Sequence, residues 1–380
     1  MLQVVNAIAY KGTPEEHPDT KEKYWDLKVG APWDVESLNV VKFVQESNKK
    51  IGGSGKEYST FKTTPSKLDF PRLLKRHLDD DLSFDDFHSA YADKKLAPSL
   101  KSSRLEEGAV IVFVHYRTYA DPTAIVGEEE PDVNFEDLEL KSDQFLVLMV
   151  RNTGALKFTD DLQIAETDVI DLKQFVQGCQ IDLIRFKGKY GVEIDNFLTF
   201  YKGGAEIRDY FKDALFAESA ITNKASSENV EKALNAFWQE HRKEIDDRTV
   251  RDQINSKVFT FSEENKGRVV TLEQISDIVD GCIPDSTPEL RGQFSTFANE
   301  SQFEINDEFE LKSNIIKNLV YVDLDVGFAK LVLLKQSIGS TEDEDSRQVK
   351  FNTETGEVTF TTTIEDQKQL DKIISILEHD

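Results

Sequence analysis

Apolar side chains recur along this chain in three rhythms, and each predicts a different kind of element. From Ala109 to Val114 the run Ala-Val-Ile-Val-Phe-Val has no polar interruption, and Phe145 to Val150 is equally apolar. Blocks of this kind predict strands covered on both faces. Alternation over residues 159–171 and 180–187 predicts further strands, and residues 2–10 and 26–29 read as short strands around the turn-rich stretch from Gly12 to Pro18. Helical spacing marks residues 35–49, 69–78, 84–96 and 205–215, and then 226–247, where Val230, Leu234, Phe237 and Trp238 share a face. Residues 247–259 continue as a second helix, and 271–279 and 288–300 as two short ones, the first opening on a capping threonine. Strand periodicity returns at 303–310, 319–325, 329–336, 348–352 and 357–362, with Gly356 suited to a hairpin turn. A last helix, 364–377, sets Leu370, Ile373, Ile374 and Leu377 on one side.

These elements predict an α+β chain in three parts: a mixed N-terminal sheet with flanking helices over 1–220, a helical region over 221–300, and a C-terminal antiparallel sheet closed by a helix over 301–380. With 380 residues, 39% of them apolar, the chain can bury more than one core. It contains no apolar run of membrane-spanning length, and its first residues lack the basic flank and apolar stretch of a secretory signal, so a cytoplasmic protein without a membrane partner is expected. Cys179 and Cys282 stand far apart in no metal-like spacing and are expected to be buried thiols.

Charge narrows the functional classes. Forty-six basic against 71 acidic side chains leave a formal charge of −25, which repels a phosphate polymer at long range. The block from Glu128 to Asp143 holds eight carboxylates and one lysine and reads as a solvated loop. Local inversion occurs between Arg185 and Lys212, where six cations (Arg185, Lys187, Lys189, Lys202, Arg208 and Lys212) face four acids. Phe186, Tyr190, Phe197, Phe200 and Tyr201 interleave with them, an arrangement that serves either base stacking or an ordinary core. A second stretch, residues 67–104, has eight cations against seven acids and is weaker.

Candidate chemistry is sparse. His115 and Arg117 fall on one face of their strand and Tyr116 on the other, so the first two suit a polar network in which Arg117 pairs with an acid such as Asp168, Asp171 or Asp182. Asp323 and Asp325 with Lys330 and Lys335 have the residue types of a magnesium-dependent nuclease, but acid–x–acid is common on solvated strands and no upstream glutamate completes the set. His88, His241 and His379 stand alone, and no phosphate-cradling glycine loop or nucleophile elbow occurs, so no metal, cofactor or catalytic residue is assigned. The helices at 271–279 and 288–300 have the order of a helix-turn-helix, yet the second offers a single arginine, Arg291, where a recognition helix needs several contacting groups.

Several of these segments together resemble one family. His115-Tyr-Arg117 at the end of an apolar strand, Asp168-Val-Ile-Asp-Leu172 with Ile181-Asp-Leu183, Asn196 to Gly204 running into Tyr210-Phe211, Lys350 to Phe360, and the opening Val4 to Ala9 occur in the order found in the NdpA/YejK-type bacterial nucleoid-associated proteins. The resemblance implies a nucleoid location and a non-catalytic, DNA-linked binding role, with Arg185, Lys187, Lys189, Lys202 and Arg208 as the residues to test against DNA. Given the acidity, the link to DNA runs through that local basic patch, through a basic DNA-processing partner, or both, and a homodimer is compatible with either. The competing classes are an acidic adaptor or anti-phage defence component docked on such an enzyme, and a magnesium-dependent DNA-processing enzyme.

Overall fold

In the computed structural model of the chain, the described residues are 1–52, 55–103, 105–106, 108–120, 135–158, 164–170, 175–202, 209–245, 248–342 and 347–377. They form two compact units: Met1–Ser226 with Asn299–Phe309, and Ser227–Ala298 with Glu310–Asp380.

The elements of the first part of the chain are β1 (Leu2–Glu16), β2 (Lys23–Val29), α1 (Leu38–Gly52), β3 (Lys56–Phe61), α2 (Phe70–Leu78), α3 (Phe84–Tyr91), α4 (Ala97–Leu100), β4 (Ala109–Tyr119), β5 (Leu140–Val150), β6 (Asn152–Phe158), β7 (Ile164–Ile170), β8 (Gln177–Asp182), α5 (Leu183–Lys189), β9 (Leu198–Lys202), α6 (Asp209–Ala214) and β10 (Ala217–Ser219). Eight strands make one sheet in the order β10-β3-β9-β8-β5-β4-β1-β2, antiparallel throughout, and β6 and β7 form a hairpin apart from it. The architecture is α+β, as the element pattern predicts.

The apolar blocks form β4 and β5, which pair at the centre of the sheet and are buried on both faces. Ile111, Phe113, Phe145, Val147 and Met149 point to a core completed by Phe70, Leu73 and Leu74 of α2, Phe87 and Tyr91 of α3, and Phe186 of α5. Val112, Val114, Tyr116, Leu146, Leu148 and Val150 point the other way, onto Val44 and Ile51 of α1. A period of two along each strand thus feeds two cores.

Several stretches depart from the expected elements. β1 runs on through Gly12 and Pro14 to Glu16, paired with β2, where a turn was expected. Its pairing with β4 ends at Gly12↔Ala109, so among the described residues Pro14 has no ladder partner on that side and its missing N–H is tolerated. The alternation of residues 180–187 is strand only as far as Asp182, whose carboxylate accepts the backbone N–H of Arg185 at 2.9 Å and so caps α5. Finally, residues 319–325 begin in a helix before turning to strand.

The rest of the chain supplies α7 (Asn223–Glu240), α8 (Arg248–Glu264), β11 (Val269–Thr271), α9 (Leu272–Asp280), α10 (Phe294–Glu300), β12 (Glu308–Glu310), α11 (Ser313–Val320), β13 (Tyr321–Asp325), β14 (Lys330–Leu334), β15 (Ile338–Ser340), β16 (Val349–Phe351), β17 (Val358–Phe360) and α12 (Gln367–Leu377). α9 opens with a capping box between Thr271 and Gln274, and Phe237 packs against Phe294 and Phe297. The C-terminal strands are not one antiparallel sheet: β13 and β14 pair alone, and β15 runs parallel to β16 while β17 is antiparallel to it. Nor does the last helix close them, since α12 buries none of its side chains and leaves Ile376 and Leu377 about two-thirds exposed. No described helix is long and apolar enough to cross a membrane.

Phe145 is fully buried and its ring meets those of Phe70, Phe87 and Phe113. Phe145→Ala should therefore lower the unfolding free energy of the first unit by about 3–5 kcal/mol. Urea unfolding followed by tryptophan fluorescence checks this, and a loss below about 1 kcal/mol would mean that β5 is not at the centre of the core.

Candidate nucleic-acid interface

The segment with the local surplus of cations folds around α5. Leu183 and Phe186 turn inward, and Tyr190 stacks on Phe186 with ring centroids 4.5 Å apart. That spacing sends Arg185, Lys187 and Lys189 outward. The interleaved aromatics do not form a stacking platform: Phe186, Phe197, Phe200 and Tyr201 are buried, and Tyr190 packs against the same core.

Each described cation of the segment already meets a carboxylate. Arg185 donates to Glu304 and lies 3.7 Å from Asp182 and 3.8 Å from Asp195. Burial works against its charge, but Glu304 and then the two aspartates outweigh that and raise its pKa. Lys187 donates to Asp143 at 3.0 Å, and Lys189 reaches Asp195 at 2.7 Å and Glu193 at 3.1 Å. Lys202, only 12% exposed, sits 2.8 Å from Glu308 and 3.3 Å from Asp307, and Lys212 sits 2.5 Å from Glu57. Arg208 lies outside the described residues. The acids that neutralise these cations come largely from distant sequence, so a count along the segment misses them.

Asp143 is the centre of this arrangement, and the charge pattern misplaced it. Expected in a solvated loop, it lies on β5 opposite Arg117 of β4 and is 3% exposed. His115 donates from Nε2 to its Oδ1 at 2.6 Å, Lys187 donates to its Oδ2, and the Nε of Arg117 stands 3.5 Å from Oδ1. Burial alone would raise the Asp143 carboxyl, yet the bonds from His115 and Lys187 bring it down from 3.8 to about 2. Burial also lowers the pKa of His115, more than Asp143 restores it. A neutral imidazole protonated on Nε2 satisfies both facts. Its other nitrogen, Nδ1, is buried and has no hydrogen-bond partner among the described residues.

Of the acids considered for Arg117, Asp182 instead caps α5 and faces Arg185. Asp168 lies on β7 with its side chain undescribed, and Asp171 falls outside the described residues. Asp325 pairs with Lys330 across the β13–β14 hairpin, both exposed, while Lys335 bonds the carbonyl of Asn318. Arg291 is held by Asp285 and the carbonyl of Ile283. Among the described residues, no group of three or more His, Cys, Asp or Glu is placed to hold a metal ion.

The family model described as nucleoid-associated protein YejK matches residues 42–325. The chain belongs to that family. Curated relatives include nucleoid-associated protein YejK of Salmonella arizonae and of Salmonella paratyphi B, and nucleoid-associated protein SeAg_B2375 of Salmonella agona. Each is 23% identical over 287 residues, covering 74% of this chain and 75% of the relative. The span matched to the YejK family includes Asp143, all of α5, and the acids Glu304, Asp307 and Glu308 that meet its cations.

Removing Asp143 should leave the buried Nε2 of His115 unanswered and take away the acceptor of Lys187, whereas Arg117 keeps a third of its side chain in solvent. Asp143→Ala is therefore expected to cost about 3 kcal/mol and Arg117→Ala about 1 kcal/mol, read by urea unfolding at pH 7. Equal losses would make the guanidinium the anchor instead. The folded pKa of Asp143 is depressed, so its contribution is present above 3.8 and is lost as pH falls through about 2. Over that window the parent should lose roughly 2 kcal/mol more than Asp143→Asn does, and parallel pH profiles for the two proteins would refute the assignment.

Proposed function

We propose that the protein is a non-catalytic component of the bacterial nucleoid that reaches DNA through a partner. The partner is a basic DNA-processing enzyme that docks on the acidic surface of this chain. One observation carries the reading: every described cation between Arg185 and Lys212 has a carboxylate within 4 Å in its own chain. Binding to DNA gains from the cations that a protein's free positive charges displace from the phosphates, and a lysine already neutralised by an aspartate displaces few of them. To contact DNA it must also leave that aspartate unanswered. The net charge of −25 adds repulsion at longer range. Membership of the YejK family of nucleoid-associated proteins supports a role at the nucleoid.

A second reading keeps a specific support. Lys187 and Lys189 are 44% and 45% exposed, and so remain within reach of a phosphate. Direct contact would then use those two, with Arg185, Lys202 and Arg208 beside them.

Salt-titrated DNA binding by the pure protein separates the two. The partner reading predicts a log–log slope shallower than about −2 and no change in Lys187→Gln with Lys189→Gln, because fewer than two phosphates are neutralised. A slope near −3.6, flattened by about one unit for each lysine removed, would establish direct phosphate contact instead.

A further inference from the structure

On the face of the main sheet opposite α5's aromatic core, a small cavity of about 160 Å³ is lined by polar side chains and Phe197. Strand register explains its floor. Lys56 and Tyr58 on β3 stand opposite Tyr201 and Thr199 on β9, and Thr199 in turn stands opposite Gln180 on β8. Gln144, Asp182, Arg185 and Asn196 extend the lining, and Asn299, Gln302 and Glu304 complete it.

Lys56 sets this cavity apart. Five described lysines of the first unit are partly buried, and four of them, Lys62, Lys95, Lys202 and Lys212, each have a carboxylate oxygen within 2.8 Å. Lys56 has neither an ion pair nor a side-chain hydrogen bond among the described residues. Burial lowers its pKa, and Glu300 favours its charge only from beyond ion-pair distance. The hydroxyls of Tyr58 and Thr199 are also uncommitted among the described residues. Tyr58, buried and pushed up to about 12, stays a donor at neutral pH. The acids in the lining do not use up Lys56, because Asp182 and Glu304 are answered by Arg185, and Asn196 donates to Glu304 at 2.7 Å. Gln302 and Glu304 hold left-handed backbone, φ 54° and 55°, a strain that non-glycine residues carry where the surroundings impose it.

We propose that this cavity binds the oxyanion of a small solute, a phosphate or a carboxylate, with Lys56 as its charged ligand and the hydroxyls of Tyr58 and Thr199 as hydrogen-bond donors. The cavity's volume suits one such group. An anion there restores to Lys56 the partner that the other partly buried lysines have, and the site is independent of how the protein reaches DNA.

The test is isothermal titration of the full chain at pH 7 with sodium phosphate and, separately, with sodium acetate. One-site saturable binding of at least one is expected, and which of the two binds identifies the group. Lys56→Met should weaken binding at least tenfold and Tyr58→Phe severalfold, while Lys62→Met, a control outside the cavity, should bind as the parent does. Circular dichroism checks the fold of each variant; if Lys56→Met does not fold, Tyr58→Phe and Thr199→Val decide by the same measure. Absence of saturable binding by either anion, or parent-like binding in the folded cavity variants, would overturn the proposal.

Discussion

A carboxylate removed from water must be answered by donors, and the candidate site is organised by how Asp143 meets that requirement. It sits on a central strand, between two cores, where no solvent substitutes for a missing hydrogen bond. Its neighbours follow from that position. His115 and Arg117 come from the adjacent strand and Lys187 from α5, so one charge ties β4, β5 and the helix together. In this geometry the ammonium of Lys187 neutralises an internal acid.

The same logic extends along the segment. In a chain with this excess of acids, cations crowded by carboxylates are drawn into internal pairs, here with Glu304, Asp195, Asp307, Glu308 and Glu57. Exposed pairs of this kind contribute little to stability individually. Their consequence is electrostatic: a stretch that is cationic along the sequence is close to neutral in space.

Much of the fold was legible in the sequence, and the failures have physical causes. The uninterrupted run from Ala109 to Val114 forecasts a strand buried on both faces, and the period of two puts His115 and Arg117 together. Asp143 was hidden because charge was summed over a window, whereas burial is decided residue by residue. Its place just before the apolar run Phe145 to Val150 was the available signal. α5 was hidden because Gln180 to Lys187 alternates like a strand; the capping Asp182 and the spacing of Leu183, Phe186 and Tyr190 are what distinguish it. Nothing local reveals that Glu304, Asp307 and Glu308 return to the first unit, since that pairing depends on the path of the chain.

The central claim is that α5's cations are held internally, and a double-mutant cycle between Asp143 and Lys187 tests it most directly. Asp143→Asn, Lys187→Met and the double variant, unfolded in urea at pH 7, give a coupling free energy. A committed pair, buried at Asp143 and half-exposed at Lys187, predicts a coupling of about 0.5–3 kcal/mol. A coupling near zero would show that Lys187 is free to bind elsewhere, and would contradict the account.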